Sequence, residues 1–365
     1  MKFSCTKENL EHAFTIADHF TGKNVTLPVL GNILLESDGN ILTVSATNLE
    51  YAVQIGVPGK NMRSGKVCIP AKVASSLIQS IKEEKVDLEE KQGNLLIKTP
   101  NRDIRINGVL AEDFPLIPKI KKIASLVMDS FSLQKSLEKV LPAVSPSEFK
   151  PELSGVFFRV APKVVSLAAT DTFRLAERTV ELRKAEGGDF SFILPQRISQ
   201  EVARVLGGGE EEIKISVGEN QVEFQGEDLK IISRLVEGNF PEYTTIVPKK
   251  FVTTAFVERN ELLLATRASS IFSSKLQEVT LSFSGKKLSI TSANTEVGEY
   301  KNEIPAAITG EEITVSFNYR YLLDGLNGLD EEEIFFGINS AHSPSLLRNK
   351  SEESFQYVLM PIRIN

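Results

Sequence analysis

The chain has 365 residues, of which 41% are apolar, and a formal net charge of −6. This length is comfortable for three domains of roughly 120 residues each, and no apolar run reaches the roughly 18 residues that a membrane helix needs. The net charge argues against a surface coated with basic residues, although a basic stripe on one face can coexist with an acidic remainder.

The beginning of the chain and its two cysteines indicate the compartment. Residues 1–5 (MKFSC) carry no signal-peptide apolar segment, so we expect a cytoplasmic protein. In a reducing compartment, Cys5 and Cys68 are expected to be buried free thiols, and a disulfide would be unexpected.

The first third of the chain predicts an order of strand, helix, strands, helix, strands. Thr6 is suited to cap a helix over 9–20, whose apolar residues recur at helical spacing. The predicted buried face of this helix consists of Leu10, Ala13, Phe14 and Ala17. A second helix is predicted to open at 69–72, and its apolar stripe consists of Val73, Leu77, Ile78 and Ile81. Predicted strands cover 2–5, 33–36, 42–46, 51–57, 85–89, 94–99 and 103–109.

The middle and last thirds repeat this order. A strand over 127–131 leads to a helix, with Lys135 and Lys139 predicted to point outward. The segment 193–197 matches 69–72 and opens the next helix, which we expect to stop at the glycines 207–209. The inward residues of the first of these helices are Leu133, Leu137, Val140 and Leu141. Further strands are predicted over 155–160, 164–169, 212–217, 221–225, 229–235, 251–257 and 356–360, and further helices from 259 and after 315–320.

One hairpin motif recurs in all three thirds. Residues 169–176 (ATDTFRLA) read as a strand end, a polar turn at 170–172 and a second strand, because Asp and Thr side chains bond the amides of such turns. Related stretches begin at Ala46 and Ala293, at nearly even spacing. We therefore predict an α+β protein with three tandem copies of one domain, at 1–124, 125–248 and 249–365. Helices should lie on one side of antiparallel sheets.

No pattern typical of a catalytic centre is present in the sequence. It contains no nucleophile elbow, Walker loop, GxGxxG, CxxC pair or HExxH. Asp171 and Arg174 are interpreted as a turn contact, and no cofactor or metal is expected. A binding protein is therefore favoured over an enzyme; the alternative is a hydrolase or transferase with an unrecognised site, which would turn over substrate without partners.

Six motifs in register resemble the bacterial sliding clamp family, the beta subunit of DNA polymerase III. They lie at 26–32 (TLPVLGN), 47–50 (TNLE), 113–115 (DFP), 169–176 (ATDTFRLA), 235–243 (LVEGNFPEY) and 359–363 (LMPIR). The resemblance spans the whole chain and implies a non-catalytic processivity factor. It implies a head-to-tail homodimer whose six domains close into a ring. Duplex DNA would thread the ring without base readout, and the ring would tether the polymerase.

The resemblance also implies an apolar groove for short linear motifs. Its ligands would be the catalytic subunit of DNA polymerase III, the clamp loader, other polymerases and repair proteins. The chain end supports this independently, since Pro361 cannot continue a sheet ladder and so apolar a segment must dock; the alternative is a terminal strand that completes a core. Thr172 and Phe173 stand where the best-known members carry Gly and His. By position, the walls are Leu153, Thr170, Thr172, Phe173, Arg174, Leu175, Pro241, Ile246, Pro344, Val358, Leu359, Met360, Pro361, Ile362 and Arg363.

Sequence-blind attraction to DNA requires cations on helices and rim loops, although each could equally be an ordinary solvated charge. The candidates are Lys23, Lys72, Lys135, Lys139, Lys150, Arg197, Arg204 and Arg320. The implied ring contact joins the first and third domains through apolar residues, for which burial within their own domains is an equal alternative. These residues are Ile104, Ile106, Ile271 and Phe272. A clamp-like scaffold that does not thread DNA is a further alternative.

Overall fold

The computed structural model describes residues 1–22, 26–147, 149–206 and 211–363. Over these residues one order of elements occurs three times, with two helices in each repeat. The first repeat contains β1 (Lys2–Thr6), α1 (Lys7–His19), β2 (Asn32–Asp38), β3 (Ile41–Thr47), β4 (Tyr51–Arg63), β5 (Gly65–Pro70), α2 (Ala71–Gln79), β6 (Lys85–Lys91), β7 (Asn94–Thr99) and β8 (Arg102–Ile106).

The second and third repeats follow the same order. The second contains β9 (Ala124–Asp129), α3 (Ser130–Val140), β10 (Gly155–Ala161), β11 (Val164–Thr170), β12 (Arg174–Glu181), β13 (Lys184–Glu186), β14 (Phe190–Pro195), α4 (Gln196–Val205), β15 (Glu212–Val217), β16 (Gln221–Gln225) and β17 (Leu229–Arg234). The third contains β18 (Thr253–Glu258), α5 (Arg259–Ser270), β19 (Glu278–Ser284), β20 (Lys287–Asn294), β21 (Gly298–Gly310), β22 (Ile313–Asn318), α6 (Tyr319–Asn327), β23 (Glu333–Ile338), β24 (Ser345–Asn349) and β25 (Phe355–Leu359).

The strands of each repeat pair in one antiparallel pattern. In the first repeat, β1 pairs with β4 and β6, β2 pairs with β3 and β5, and β3 also pairs with β4. In the third repeat, β18, β19, β20 and β21 pair in the same way with their counterparts. The prediction of three tandem domains of one kind is therefore confirmed, although their exact boundaries stay predictions.

In each repeat, the fourth strand changes its pairing partner partway along its length. The second half of β4 pairs with β1, whereas its first half pairs with β17. Pro58 in β4 and Pro305 in β21 stand at the same register position, next to the change of neighbour. Proline suits this point because it has no N–H that would need a partner there. The middle repeat has Glu181 in this position, and there the strand is divided into β12 and the unpredicted β13.

Two backbone hydrogen bonds mark the same places in every repeat. The amides of Lys7, Ser130 and Arg259, at the start of each first helix, donate to the carbonyls of Glu84, Glu211 and Glu332 over 2.8, 2.8 and 2.7 Å. After each last strand, the amides of Val109, Val236 and Ile362 donate to the carbonyls of Cys68, Ile193 and Ser316 over 2.9, 3.0 and 2.7 Å. The segment that leaves each last strand is thus anchored in one way.

The chain packs into two compact units. The first consists of Met1–Phe131, Arg183–Gly188 and Arg204–Leu235, and the second of Ser132–Leu182, Asp189–Ala203 and Val236–Asn365. The first unit holds a sheet in the order β13-β9-β15-β16-β17-β4-β1-β6-β7-β8 with β2, β3 and β5 attached, and the second a sheet in the order β14-β10-β11-β12-β25-β24-β23-β18-β21-β20-β19-β22. The middle repeat contributes strands to both units, because its fourth strand is divided.

The predicted interiors of the first helices are confirmed except at Leu141, which is half-buried and follows the end of α3 at Val140. Leu10, Ala13, Phe14 and Ala17 are buried, and the Thr6 hydroxyl accepts the amide of Asn9 at the start of α1. Leu133, Leu137 and Val140 are also buried. Cys5 and Cys68 are buried free thiols, as predicted.

Three predictions about helices were wrong. Val73 is 51% exposed, because the buried stripe of α2 runs through Ala71, Ala74, Ser75 and Ile78. Helix α3 begins at Ser130, inside the segment predicted as strand. Lys139 does not point outward: its side chain is 8% exposed, pairs with Asp330 and lies 5.2 Å from the Phe355 ring centroid. The glycines 207–209 lie outside the described residues.

Candidate functional site

The hairpin between β11 and β12 is held by its own side chains. The Thr170 hydroxyl donates to the carbonyl of Arg174 over 2.6 Å and accepts the amide of Thr172 at 3.1 Å. The Asp171 carboxylate accepts the amides of Phe173 and Arg174, each at 3.0 Å. These bonds hold Thr172 at a φ of 78°, in the left-handed region that β-branched residues avoid. The polar turn was predicted from sequence, but its strained residue was not.

The chain end docks against this hairpin. The amide of Met360 donates to the carbonyl of Phe173 over 2.9 Å, and the amide of Ile362 donates to the carbonyl of Ser316 on β22. Pro361, which has no amide hydrogen, lies between them, and β25 ends at Leu359 as its position predicts. The last residues therefore lie fixed between a hairpin of the second repeat and an edge strand of the third.

An apolar groove opens beside this chain end. It encloses about 520 Å³ within the second unit. Phe173 is 60% exposed and Leu276 is 61% exposed, so two large apolar side chains at this groove are accessible to a ligand. A cleft of this size and character is typical of sites for small or extended apolar ligands. The groove is lined by Thr172, Phe173, Leu276, Asn318, Tyr321, Met360, Pro361, Ile362 and Arg363.

Arg174 supports the groove from behind. Its guanidinium bonds Asp171 at 3.0 Å, pairs with Asp324 on α6, and lies 4.2 Å from the centroid of the Tyr321 ring. Burial lowers the pKa of Arg174, yet Tyr357 and Asp324 raise it more, so the net shift is upward. Tyr357 also donates its hydroxyl to the carbonyl of Tyr321 over 2.9 Å. Arg174 thus stays charged and links the hairpin to α6 through its ion pairs, and it is not an acid–base group.

The structure gathers only part of the predicted groove wall. Leu175 and Val358 pack with Tyr243 in a hydrophobic core and are not among the residues that line this cavity, so their assignment to the groove wall stays a prediction. Leu153, Thr170 and Leu359 are buried as well. Pro241 and Ile246 are exposed and Pro344 is half-buried, but none of the three lines the groove.

Sequence reasoning missed three groove residues. Leu276, Asn318 and Tyr321 come from the loop before β19 and the start of α6. Asn318 caps α6, its side-chain oxygen accepting the amides of Arg320 and Tyr321. The cap was recognisable from sequence, but only the folded chain brings it to the docked end of β25.

The candidate DNA-facing cations fall into distinct environments. Lys72, Arg197 and Arg320 are exposed and occupy the same position, the second residue of α2, α4 and α6. Lys135 pairs with Glu138 at 2.8 Å, and Lys139 is buried as described above. Lys150 and Arg204 are exposed, and Lys23 lies outside the described residues.

Two strand edges of the kind that pair between repeats remain open within the described part of the chain. At two places in the chain, the last strand of one repeat pairs with the fourth strand of the repeat before it. These pairs are β17 with β4 and β25 with β12. The remaining last strand, β8, pairs only with β7, and the first half of β21 pairs only with β20. Ile106 in β8 is buried and Ile104 is half-buried, whereas Ile271 is 67% exposed and Phe272 stacks on Tyr300.

The described residues hold no cluster of three or more His, Cys, Asp or Glu side chains placed to bind a metal ion. Across the same part of the chain, no helix is both long and apolar enough to span a membrane.

These features define a class of binding proteins that consist of tandem DNA-clamp domains. Residues 1–118, 128–242 and 244–363 match the N-terminal, central and C-terminal domains of the DNA polymerase III beta subunit. The chain therefore belongs to the DNA polymerase III beta subunit family, and it is a non-catalytic subunit.

Relatives and solved structures agree over the full length. Beta sliding clamps of Synechocystis sp. and Bacillus subtilis are 27% and 25% identical, with 100% of each chain covered. The crystal structure of the DNA polymerase III beta subunit of Thermotoga maritima matches with a TM-score of 0.93, and the sliding clamp of Bacillus subtilis with 0.94, both at 25% identity and with 100% of each chain covered.

Proposed function

We propose that this chain is a DNA sliding clamp, in which two copies close head to tail around duplex DNA and tether a polymerase. The observation that carries the assembly is the pair of open edges, β8 and the first half of β21. Both closed junctions in the chain join a last strand to the first half of a fourth strand. The open edges are one strand of each kind, so a second copy can close them by the same contact.

The register of the closed junctions predicts the contact between copies. Ile231 lies opposite Val53, and Tyr357 lies opposite Ala176, with all four fully or almost fully buried. The equivalent residues at the open edges are Ile104 and Tyr300, and both are only half-buried. Closing the junction would bury them together.

The charged residues beside this pair are complementary. The same register places Arg105 opposite Glu299 and Asp103 opposite Lys301. Opposite charges on facing strand positions stabilise a pairing and specify its register. Both open edges therefore carry the side chains that a heterologous contact requires, which supports Ile104 and, through its stack on Tyr300, Phe272 as interface residues.

Charge reversal tests this contact. Arg105→Glu should weaken the dimer by at least tenfold, and Arg105→Glu combined with Glu299→Arg should restore most of the affinity, measured by sedimentation equilibrium. A chain that sediments as a monomer at micromolar concentration would contradict the assembly.

DNA would be held by topology and by weak phosphate contacts. The equivalent cations Lys72, Arg197 and Arg320 recur once per repeat, which suits contacts that repeat around a duplex and read no base. With a clamp loader and ATP, the protein should stay on nicked circular DNA and slide off the same DNA after linearisation. Equal loss from both would favour a scaffold that does not thread DNA.

The groove would receive short linear motifs of the polymerase, the clamp loader and repair proteins in the cytoplasm. Such peptides gain affinity by seating apolar side chains in a preformed cleft, and the adaptable side chain of Met360 suits several of them. Deleting residues 360–365 should abolish binding of a polymerase tail peptide and leave the dimer intact. Unchanged peptide affinity would remove the groove assignment.

A further inference from the structure

A cavity of about 380 Å³ lies within the first compact unit, beside the pairing of β17 with β4. Its floor is apolar, because Ile16, Ile55 and Ile213 line it and are each at most 4% exposed. Glu211 and Asp228 also line it, and both are exposed. A cleft with apolar walls and a few charged groups is typical of a site for a small ligand. We call the space between these five residues the α1 cavity.

Two glycines bring the carboxylates close to the α1 cavity. A β-carbon on Gly56 would lie 3.6 Å from Oδ1 of Asp228, and one on Gly226 would lie 3.8 Å from Oε2 of Glu211. Both glycines line the α1 cavity, so both carboxylates are within reach of a ligand in it. Within the part of the chain that the structure describes, neither carboxylate forms an ion pair. Two acceptors of a positive charge are therefore available at this site.

The repeat of the fold gives the floor of the α1 cavity a counterpart in the second compact unit. Ile16 and Lys139 are each the tenth residue of their helix, in α1 and in α3. Ile55 in β4 and Arg178 in β12 occupy the same register position against the last strand of the following repeat. Two aliphatic side chains in the first unit thus correspond to two cations in the second.

The two cations of the second unit have their charges neutralised in place. Lys139 pairs with Asp330, is 8% exposed and lies 5.2 Å from the Phe355 ring centroid. Arg178 pairs with Glu352 at 3.0 Å. Long cationic side chains of this kind lay their methylene groups along apolar surface and keep the charged end with its partner. The isoleucines of the first unit supply neither this length nor this charge, so the α1 cavity has two carboxylates and no cation.

We propose that the α1 cavity binds a linear aliphatic diamine, whose methylene chain lies on Ile16 and Ile55 and whose ammonium groups bond Glu211 and Asp228. The ligand would supply the two cations that the second unit provides from its own side chains. A hydrated divalent ion suits an apolar floor less well, because such ions keep their oxygen ligands. This inference goes beyond the proposed function, since the α1 cavity lies within one unit of one chain and does not depend on ring closure.

Isothermal titration calorimetry with 1,4-diaminobutane tests the site. We expect one site per chain, and n-butylamine at the same ionic strength should bind about tenfold more weakly because it makes one charge-assisted bond instead of two. Asp228→Asn and Glu211→Gln should each weaken diamine binding by about tenfold for the same reason. Glu8→Gln is the matched control: it makes the same change of charge at an exposed position of α1 outside the cavity, and it should bind as the parent does. Equal affinities for the parent and all three variants would show only a general attraction of cations and would overturn the proposal.

Exchanging residues between the repeats tests the counterpart directly. Ile16→Lys should place a tethered ammonium in the α1 cavity and abolish diamine binding, and it should fold because Lys139 already occupies the equivalent position. Lys139→Ile should release Asp330 and the space beside it, so that this variant binds two diamines per chain. Thermal unfolding shows whether each variant is folded, and the exposed positions of Asp228 and Glu211 keep the first test independent of it. Undiminished binding by folded Ile16→Lys, or a single site in folded Lys139→Ile, would overturn the proposal.

The outcomes are separate from those that test the assembly. A chain that sediments as a monomer and still binds one diamine would retain the α1 cavity as a site and lose the ring. A dimer that stays on circular DNA and binds no diamine would retain the ring and overturn the site.

Discussion

The hairpins of the first and second repeats have the same backbone and different surroundings. In the first, the Asn48 side chain accepts the amides of Glu50 and Tyr51, as Asp171 does for its own turn, and Leu49 has a φ of 79° against 78° for Thr172. Tyr51, however, is buried edge-on against Phe20, whereas its counterpart Arg174 reaches α6. One local structure therefore serves as a core element in one place and as a groove wall in another.

The largest contrast should come from Arg174→Ala against Tyr51→Ala. Each should cost about 3 kcal/mol of unfolding free energy, the first by leaving Asp171 and Asp324 without their cation, the second by opening a cavity. Only Arg174→Ala should also weaken binding of a polymerase tail peptide, by tenfold or more. Chemical denaturation and fluorescence anisotropy measure the two effects. Arg174→Lys is the control: it keeps the charge, lacks the planar fork and should not restore the affinity.

The next contrast separates affinity from stability. Phe173→Ala should reduce peptide affinity by about tenfold, since an exposed ring at the groove loses roughly 1–2 kcal/mol of contact, and should leave the melting temperature unchanged. Glu50→Ala, at the matching position of the first hairpin, should change neither. A parental peptide affinity for Phe173→Ala would place the ligand elsewhere.

The side chains of Asn48 and Asp171 make the same turn bonds but differ in one further contact. Asn48→Ala and Asp171→Ala each free two backbone amides, which should lower the unfolding free energy by about 1–2 kcal/mol, and Asp171→Ala should cost more because it also removes the ion pair with Arg174. Asp171→Asn should retain the amide bonds and lose the ion pair with Arg174. It should therefore fall between Asp171→Ala and the parent protein in thermal unfolding.

The smallest effect concerns the strained backbone. Leu49→Gly and Thr172→Gly remove a side chain from the left-handed region, and each should stabilise the protein by up to about 1 kcal/mol after the entropy of glycine is subtracted. Differential scanning calorimetry should show the same sign for both. A clear loss of stability in either would indicate that its side chain contributes more by packing than its strain costs.

Much of the fold followed from local patterns. The hairpin at Ala46, Ala169 and Ala293, the buried face of α1 and the entries into the second helices were all recognisable, because helical periodicity and turn chemistry depend on near neighbours. Val73 was wrongly assigned to the buried face of α2, because helical periodicity alone does not distinguish an aliphatic residue next to that face from one on it. Lys139 was misassigned because Asp330, its partner, is distant in sequence.

The sequence by itself determined the threefold order of elements, the polar turns, the free thiols and the family. Only the tertiary structure decided which of the predicted wall residues line the groove, that Leu276, Asn318 and Tyr321 join them, and that β8 and β21 are left open. The reason is physical: a turn or a helix face is specified by bonds and contacts within a few residues, whereas a groove or an open edge depends on which distant strands pair and which side chains they leave uncovered.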